Sequence, residues 1–350
     1  MCKTLTTARR IATVCLPLIF IVKLQFRKLA ARNWQVEQSR AAEGLKPRSL
    51  LLNLFPKLAL GLIPVIIFPC ISFAYQVTDE IGRSINISPS SQRIVSLAPG
   101  ITETLYALGL ADKIVGVTSF CNWPTSALQK QRIGGFINPS IEQIVSLKPD
   151  LIIATADGNR PDTVRQLERI GLTVYVTNPS DTNGILRSIF HLGEITARKN
   201  AAAKLVRQLQ KRLSNIEAQI RYKSKPRVFF QIGLEPLITI SGKTLINEVI
   251  ERAGGINIAS NDTARYPRYS PEGIMEGLPD VILFAPMAND KEFTAVKNFW
   301  QKFEGIPAVK NNRIYPINTD LISRASPRIV DAIEKMALIF HPDIKITKTK

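Results

Sequence analysis

The chain has 350 residues, 45% of them hydrophobic and 21% charged, so it can bury a large core and is not a disordered chain. Of its net charge of +18, eleven Lys/Arg against two acids place +9 in residues 1–74. The rest is only mildly basic and lacks the basic–aromatic clusters of a nucleic-acid binder.

Residues 1–74 read as a leader. A first apolar stretch, Ile11 to Val22, is interrupted by Pro17 and stopped by Lys23, and is short for a membrane span. A second, Leu58 to Val77, carries no charge and follows Arg40, Lys46, Arg48 and Lys57. It ends in Ser72-Phe73-Ala74, the small residues a signal peptidase inspects, so cleavage after Ala74 is expected. A retained anchor is the alternative, and either exports the body. Cys70 does not make a lipoprotein site, because Pro69 and Phe68 precede it where small residues are needed.

From residue 75 the pattern changes. Val77 to Ile87 predicts a hairpin around Gly82. Arg93 to Leu97 predicts a strand ended by Pro99 and Gly100, with a helix over Ile101 to Leu108. Ile114 to Val117 is the next strand. Ser140 opens a helix with Gln143 three residues on, a capping box. That helix ends before Pro149, Leu151 to Ala154 is a strand, Pro161 starts a helix, and Leu172 to Val176 is a strand. Strands alternating with helices predict a doubly wound α/β lobe over 75–180.

Asp181 then precedes a tract from Ile185 to Ile220 with apolar residues three or four apart. Its 36 residues would span about 54 Å if unbroken. Gly193 is the place to expect a bend. This tract, 181–224, reads as a linking helix, followed by a second α/β lobe over 225–350. An internal echo supports two lobes. Ser140-Ile141-Glu142-Gln143-Ile144 and Pro149-Asp150-Leu151-Ile152-Ile153 match Ser270-Pro271-Glu272-Gly273-Ile274 and Pro279-Asp280-Val281-Ile282-Leu283 at a constant offset of 130. Ligands of such architectures sit between lobes, at the carboxyl ends of strands.

The chemistry-bearing residues exclude several functions. His191 and His341 are too far apart, with no partners, for a histidine-built zinc site or a histidine-centred triad. No cysteine pair has metal-ligand spacing, and Cys121 alone falls in the body, where it reads as a small apolar residue rather than a thiol ligand. No serine elbow or useful carboxylate pair supports an exported hydrolase, so the chain is not expected to be an enzyme.

Several segments carry a resemblance. Arg93-Ile94-Val95-Ser96-Leu97-Ala98-Pro99, Thr102-Glu103 and Leu108-Gly109 resemble the opening of helical-backbone substrate-binding proteins of ABC importers. Phe120-Cys121-Asn122-Trp123-Pro124, Gly134 to Glu142, Gly254 to Asn257 and Arg324-Ala325-Ser326-Pro327-Arg328 are similar to the cobalamin-binding branch. The resemblance covers about residues 75–341. It implies a monomeric, extracytoplasmic, two-lobed receptor with no cofactor of its own. Such a receptor captures a corrinoid between its lobes and delivers it to a permease with its ATPase.

A corrin is a large, flat, mostly apolar ring, and holding it asks for aromatic faces and a few polar groups at the rim. Phe120, Trp123, Phe136 and Tyr266 fall at or beside family positions that flank the ligand, in loops rich in Gly, Pro and Asn. Asp320 and Arg324 fall where the family has a pair at the cleft rim. Glu142 and Glu272, one per lobe, fall where the family pairs with arginines of the permease. The alternative ligands are a ferric siderophore, for which Arg265, Arg268 and Arg324 are candidates, and haem, for which Tyr266 and Tyr269 are.

Overall fold

A computed structural model describes residues 75–88, 91–285 and 290–346, with backbone alone for 290–293. The chain divides into two units, Met1–Ile71 and Ser72–Lys350, and every described residue lies in the second. The leader's apolar runs and the expected cleavage site at Ala74 lie outside the described residues.

β1 (Tyr75–Thr78) and β2 (Ser84–Ile87) pair antiparallel as the expected hairpin. Gly82 takes the positive φ that the turn requires, and Asp79 closes it by accepting from the Arg83 N–H at 2.8 Å.

The first lobe follows. β3 (Ile94–Ser96), β4 (Ile114–Val117), β5 (Leu151–Thr155) and β6 (Val174–Thr177) form one sheet in the order β4-β3-β5-β6, all parallel. The strands read as continuous apolar runs because both faces are covered. Ile94 and Ile153 face one buried cluster, and Val95 and Ile152 face another. The connecting helices are α1 (Pro99–Ala107), α2 (Ile141–Ser146) and α3 (Pro161–Arg169). α1 starts two residues before the expected Ile101. Pro99 does not merely end the strand; it opens the helix, where a fixed φ and a missing N–H cost nothing.

The tract after Asp181 is not one rod. It forms α4 (Thr182–Ile195) and α5 (Lys199–Ile220). Arg252 bonds both Asn183 near the start of α4, at 3.4 Å, and Glu217 near the end of α5, at 2.9 Å. Collinear helices would hold those two residues about 50 Å apart. The chain therefore reverses, and the helices lie side by side. The break is at Thr196–Arg198, with Ala197 in the left-handed region at φ 57, and not at Gly193. Gly193 lets the helices approach: a Cβ there would fall 2.2 Å from that of Ala202.

The second lobe is built from β7 (Arg227–Gln231), the short hairpin β8 (Gly233–Leu234) and β9 (Leu237–Ile238), then β10 (Ile256–Asn257), β11 (Val281–Phe284) and β12 (Ile314–Pro316). Its sheet runs β10-β7-β11-β12, again all parallel. Its helices are α6 (Leu245–Arg252), α7 (Pro271–Gly277), α8 (Asp290–Trp300), α9 (Pro307–Lys310), α10 (Thr319–Ile322) and α11 (Ile329–Phe340). α5 is tied to this lobe by Arg212, which donates to Glu334 at 2.6 Å and Asp331 at 2.5 Å on α11.

The sequence echo has a physical cause. Ser140 and Ser270 each cap their helix by accepting an N–H three residues on, at 3.2 Å. Lys148 and Leu278 both leave the helix with positive φ. Asp150 then accepts from the N–H of Arg93 at 3.1 Å, and Asp280 from that of Arg227 at 2.8 Å. Each arginine returns its side chain to the helix C-terminus, Arg93 to the Leu147 carbonyl and Arg227 to that of Gly277. The Pro-Asp pair is thus a clamp that aligns helix, strand start and neighbouring strand, used once per lobe.

Candidate functional site

A cleft of about 990 Å³ lies between the two sheets' loops. On the first lobe it is walled by the segments that leave the carboxyl ends of β3, β5 and β6, as expected for parallel sheets. Ala98 to Ile101, Thr155 to Asp157 and Thr177 to Ser180 make this wall, with Phe120 and the Gly135–Asn138 loop beside it. The second lobe contributes Lys243 to Ile246, Arg265, Tyr266, Asp320 and Ile322 to Ala325.

Five of the six expected ligand residues line this cleft: Phe120, Phe136, Tyr266, Asp320 and Arg324. Phe120 is 60% exposed and Tyr266 51%, unusual for large rings without a partner surface. Phe136 is half-buried. Its ring lies over Gly158, where a Cβ would fall 2.1 Å from it, and its carbonyl accepts from the buried Asn159 amide at 2.8 Å. Asn159 also donates to Leu97 and accepts from Thr155, so it locks the aromatic loop to the ends of β3 and β5.

Trp123 lies outside the lining. One of its faces is covered by the Arg328 guanidinium, 4.2 Å from the ring centroid, and the side remains 47% exposed. Cys121 is buried between the hydroxyls of Thr102 and Thr118, each 3.2 Å from its sulfur, and faces no ligand space.

Asp320 and Arg324 do more than pair with one another. Arg324 is only 9% exposed, and its donors are committed to Glu103 at 2.8 Å, Asn122 at 2.7 Å, the Phe120 carbonyl at 3.2 Å and Asp320 at 2.6 Å. Asn122 returns a bond to Asp320 at 2.8 Å. Glu103, buried on α1, also accepts from Ser326 at 2.6 Å and Arg328 at 3.1 Å. A buried carboxylate needs such donors. Glu103 is therefore the hub that fastens the two lobes along one side of the cleft. Sequence reasoning passed over it as part of a motif. Its signal was an acid within a helix whose neighbours, Ile101, Thr102, Thr104 and Leu105, are otherwise apolar or small.

The other alternative-ligand candidates divide. Arg265 lines the cleft, stacked over Tyr266 at 5.6 Å and 3.9 Å from Asp157 of the other lobe. Arg268 does not line it, and its backbone bridges to Ile238. Tyr269 packs against Phe229 at 6.3 Å outside the lining, and burial pushes its hydroxyl above the ordinary tyrosine range. Among the described residues no histidine lines the cleft. His191 bonds Glu80 at 3.2 Å, and His341 is buried beside Gly254. No group of three His, Cys, Asp or Glu among the described residues is placed to hold a metal ion.

Glu142 and Glu272 are exposed, each the second residue of its Ser-capped helix. Neither has an ion-pair partner among the described residues.

The model of the periplasmic binding protein family matches residues 94–321. A vitamin B12-binding protein of Vibrio cholerae serotype O1 is 32% identical over 247 residues, covering 70% of this chain and 88% of the relative. The substrate-binding lipoprotein YvrC of Bacillus subtilis, an uncharacterized ABC transporter component, is 30% identical over 278 residues, 77% of this chain and 87% of its own. Among solved structures, the periplasmic vitamin B12 binding protein BtuF of Vibrio cholerae superposes with a TM-score of 0.64 at 31% identity, covering 72% of this chain and 97% of that one. The periplasmic haem-binding protein RhuT of Roseiflexus sp. RS-1, in apo form, gives 0.62 at 26% identity, covering 72% and 98%.

Proposed function

The chain belongs to the periplasmic binding protein family, and from that premise we propose that it captures cobalamin or a related corrinoid in its cleft and hands it to an ABC permease. As a substrate-binding protein it needs selective capture and release, not turnover. The observation that carries the corrinoid reading is the cleft's lining: large, edged by exposed aromatic rings and, among the described residues, free of histidine, with Arg324 already committed to Glu103 and Asp320. At about 990 Å³ it stands at the upper end of small-molecule sites, which suits a bulky ligand. Phe120, Phe136 and Tyr266 offer faces to a flat ring, and Asp320 with Arg324 holds the loop that carries Phe120.

The alternatives draw less support. An iron chelate of catecholates or carboxylates asks for several free arginines, and Arg324 is bound to Glu103 while Arg268 lies outside the cleft, which leaves Arg265 alone. Haem asks for an axial ligand, and among the described residues Tyr266 is the single tyrosine of the cleft, half-exposed at its rim.

Docking to the permease is assigned to Glu142 and Glu272. A bidentate arginine contact needs a fixed, exposed carboxylate, and the first turn of a capped helix supplies one in each lobe. The Glu142→Ala, Glu272→Ala double variant should keep ligand affinity within about twofold while permease binding falls steeply, and wild-type docking should weaken with salt. Unchanged transport would reduce both residues to dipole-favoured helix positions. Export is tested by the mature N-terminus, expected at Tyr75 or within a few residues of it. No helix among the described residues is long and apolar enough to cross a membrane. The ligand itself is tested by adding cyanocobalamin to the purified protein. A saturable shift of its visible spectrum at one molecule per chain is expected, and no shift would refute the reading.

A further inference from the structure

We infer that the second-lobe wall of the cleft carries an anion-recognising subsite formed by Lys243 and Arg265, so that the ligand presents a singly charged phosphate ester or carboxylate there. The inference deepens the proposed function and rests on the cleft being the ligand site.

The two cations are neighbours by construction. The N–H of Ser241 donates to the Arg265 carbonyl at 3.1 Å, and Gly242 donates to Ser260 at 3.0 Å, which zips the 259–268 loop to the segment that holds Lys243. The Lys243 ammonium spans the same loop, donating to the Thr263 carbonyl at 2.6 Å. That partner is neutral, so the charge on Lys243 meets no acid among the described residues. Arg265 has one acid near it, Asp157 at 3.9 Å on the opposite lobe, and both side chains are exposed. A contact of that length between exposed groups is weak and can be exchanged. α6 begins at the same place: Leu245 and Ile246 line the cleft, so the positive end of the helix dipole adds to the two cations.

Arg324 is the opposite case. Its charge is spent on Glu103 and Asp320, and it has nothing left for a ligand anion. The cleft therefore holds unbalanced positive charge at one place, and a ligand anion there would displace Asp157 from Arg265. A corrinoid with its nucleotide loop carries a phosphodiester; haem and many iron chelates carry carboxylates. The shared chemistry is one accessible anion at the rim of a large ring.

The test compares the full-length protein with a Lys243→Gln, Arg265→Gln double variant at low and moderate salt. Each is titrated with cyanocobalamin and with cobinamide, which lacks the phosphodiester, and then with haem and haem dimethyl ester. Wild type should prefer cyanocobalamin to cobinamide by about tenfold or more, the scale of one charge-assisted hydrogen bond. The preference should shrink with salt and fall to within about twofold in the variant. Preference for haem over its ester, lost in the variant, would keep the subsite and overturn the corrinoid reading. Cobalamin and cobinamide binding equally well, with both proteins alike, would overturn the subsite and leave the corrinoid reading standing. Identical behaviour of the two proteins towards all four ligands also overturns it.

Discussion

Asp150 ties the end of α2 to the start of β3, and Asp280 ties α7 to β7 in the same way, yet the loops that run from β3 and β7 towards the cleft share nothing. From β3 the chain turns at Pro99 straight into α1, which carries Glu103 across to the other lobe. From β7 it makes the hairpin β8–β9 and then runs to Lys243 and α6. The parts that repeat are those that satisfy backbone groups, which any parallel sheet must do. The parts that differ are free to choose a ligand and to join the lobes.

The largest expected effect lies in the part that does not repeat. Glu103→Ala should cost about 3 kcal/mol or more, because it leaves Arg324 buried with fewer partners. Urea unfolding measures it, and a loss below about 1 kcal/mol would show that the hub does not join the lobes. Next, Gly193→Val should cost about 1–3 kcal/mol by forcing α4 from α5.

The repeated clamp offers a sharper comparison. Asp150→Ala and Asp280→Ala should cost similar amounts, about 1–2 kcal/mol each, since each removes an acceptor for a strand-opening N–H. Unequal losses would mean that the two clamps differ in more than sequence. Lys148→Gly and Leu278→Gly relieve a left-handed residue at equivalent places, and each should gain up to about 1 kcal/mol.

Much of the scaffold could be read from short segments. Ser140, the Pro149-Asp150 stop and the apolar strands each determine local structure through neighbours in the chain. The reversal between α4 and α5 was hidden because Ala197 makes the turn without glycine or proline, while the apolar spacing continues on both sides. The aromatic loop residues could be picked out by their setting among Gly, Pro and Asn. The commitment of Arg324 could not, since its partner Glu103 is 221 residues away. The covering of Trp123 by Arg328 likewise depends on how the lobes meet. Trp123→Ala should therefore weaken ligand binding less than Phe136→Ala or Tyr266→Ala does.

The smallest expected effects separate the two histidines. The hydrogen bond that His191 donates to the Glu80 carboxylate holds the His191 pKa above its ordinary value. Its stabilisation is complete below about pH 6.5 and is lost as pH rises through the raised value. Burial holds His341 below its ordinary value, so its neutral form is favoured and stability falls as pH drops below about 6.5. Each effect should be below about 1 kcal/mol. His191→Gln should flatten the alkaline limb of a melting-temperature profile, and His341→Gln the acidic limb. A swap of the limbs would contradict both assignments.

The most direct measurement is a calorimetric titration of cyanocobalamin into the full-length protein and into its Phe136→Ala, Tyr266→Ala variant. The account predicts one molecule bound per chain and an affinity loss of about 10- to 100-fold in the variant. Absence of binding to the wild type, or equal binding to both proteins, would contradict it.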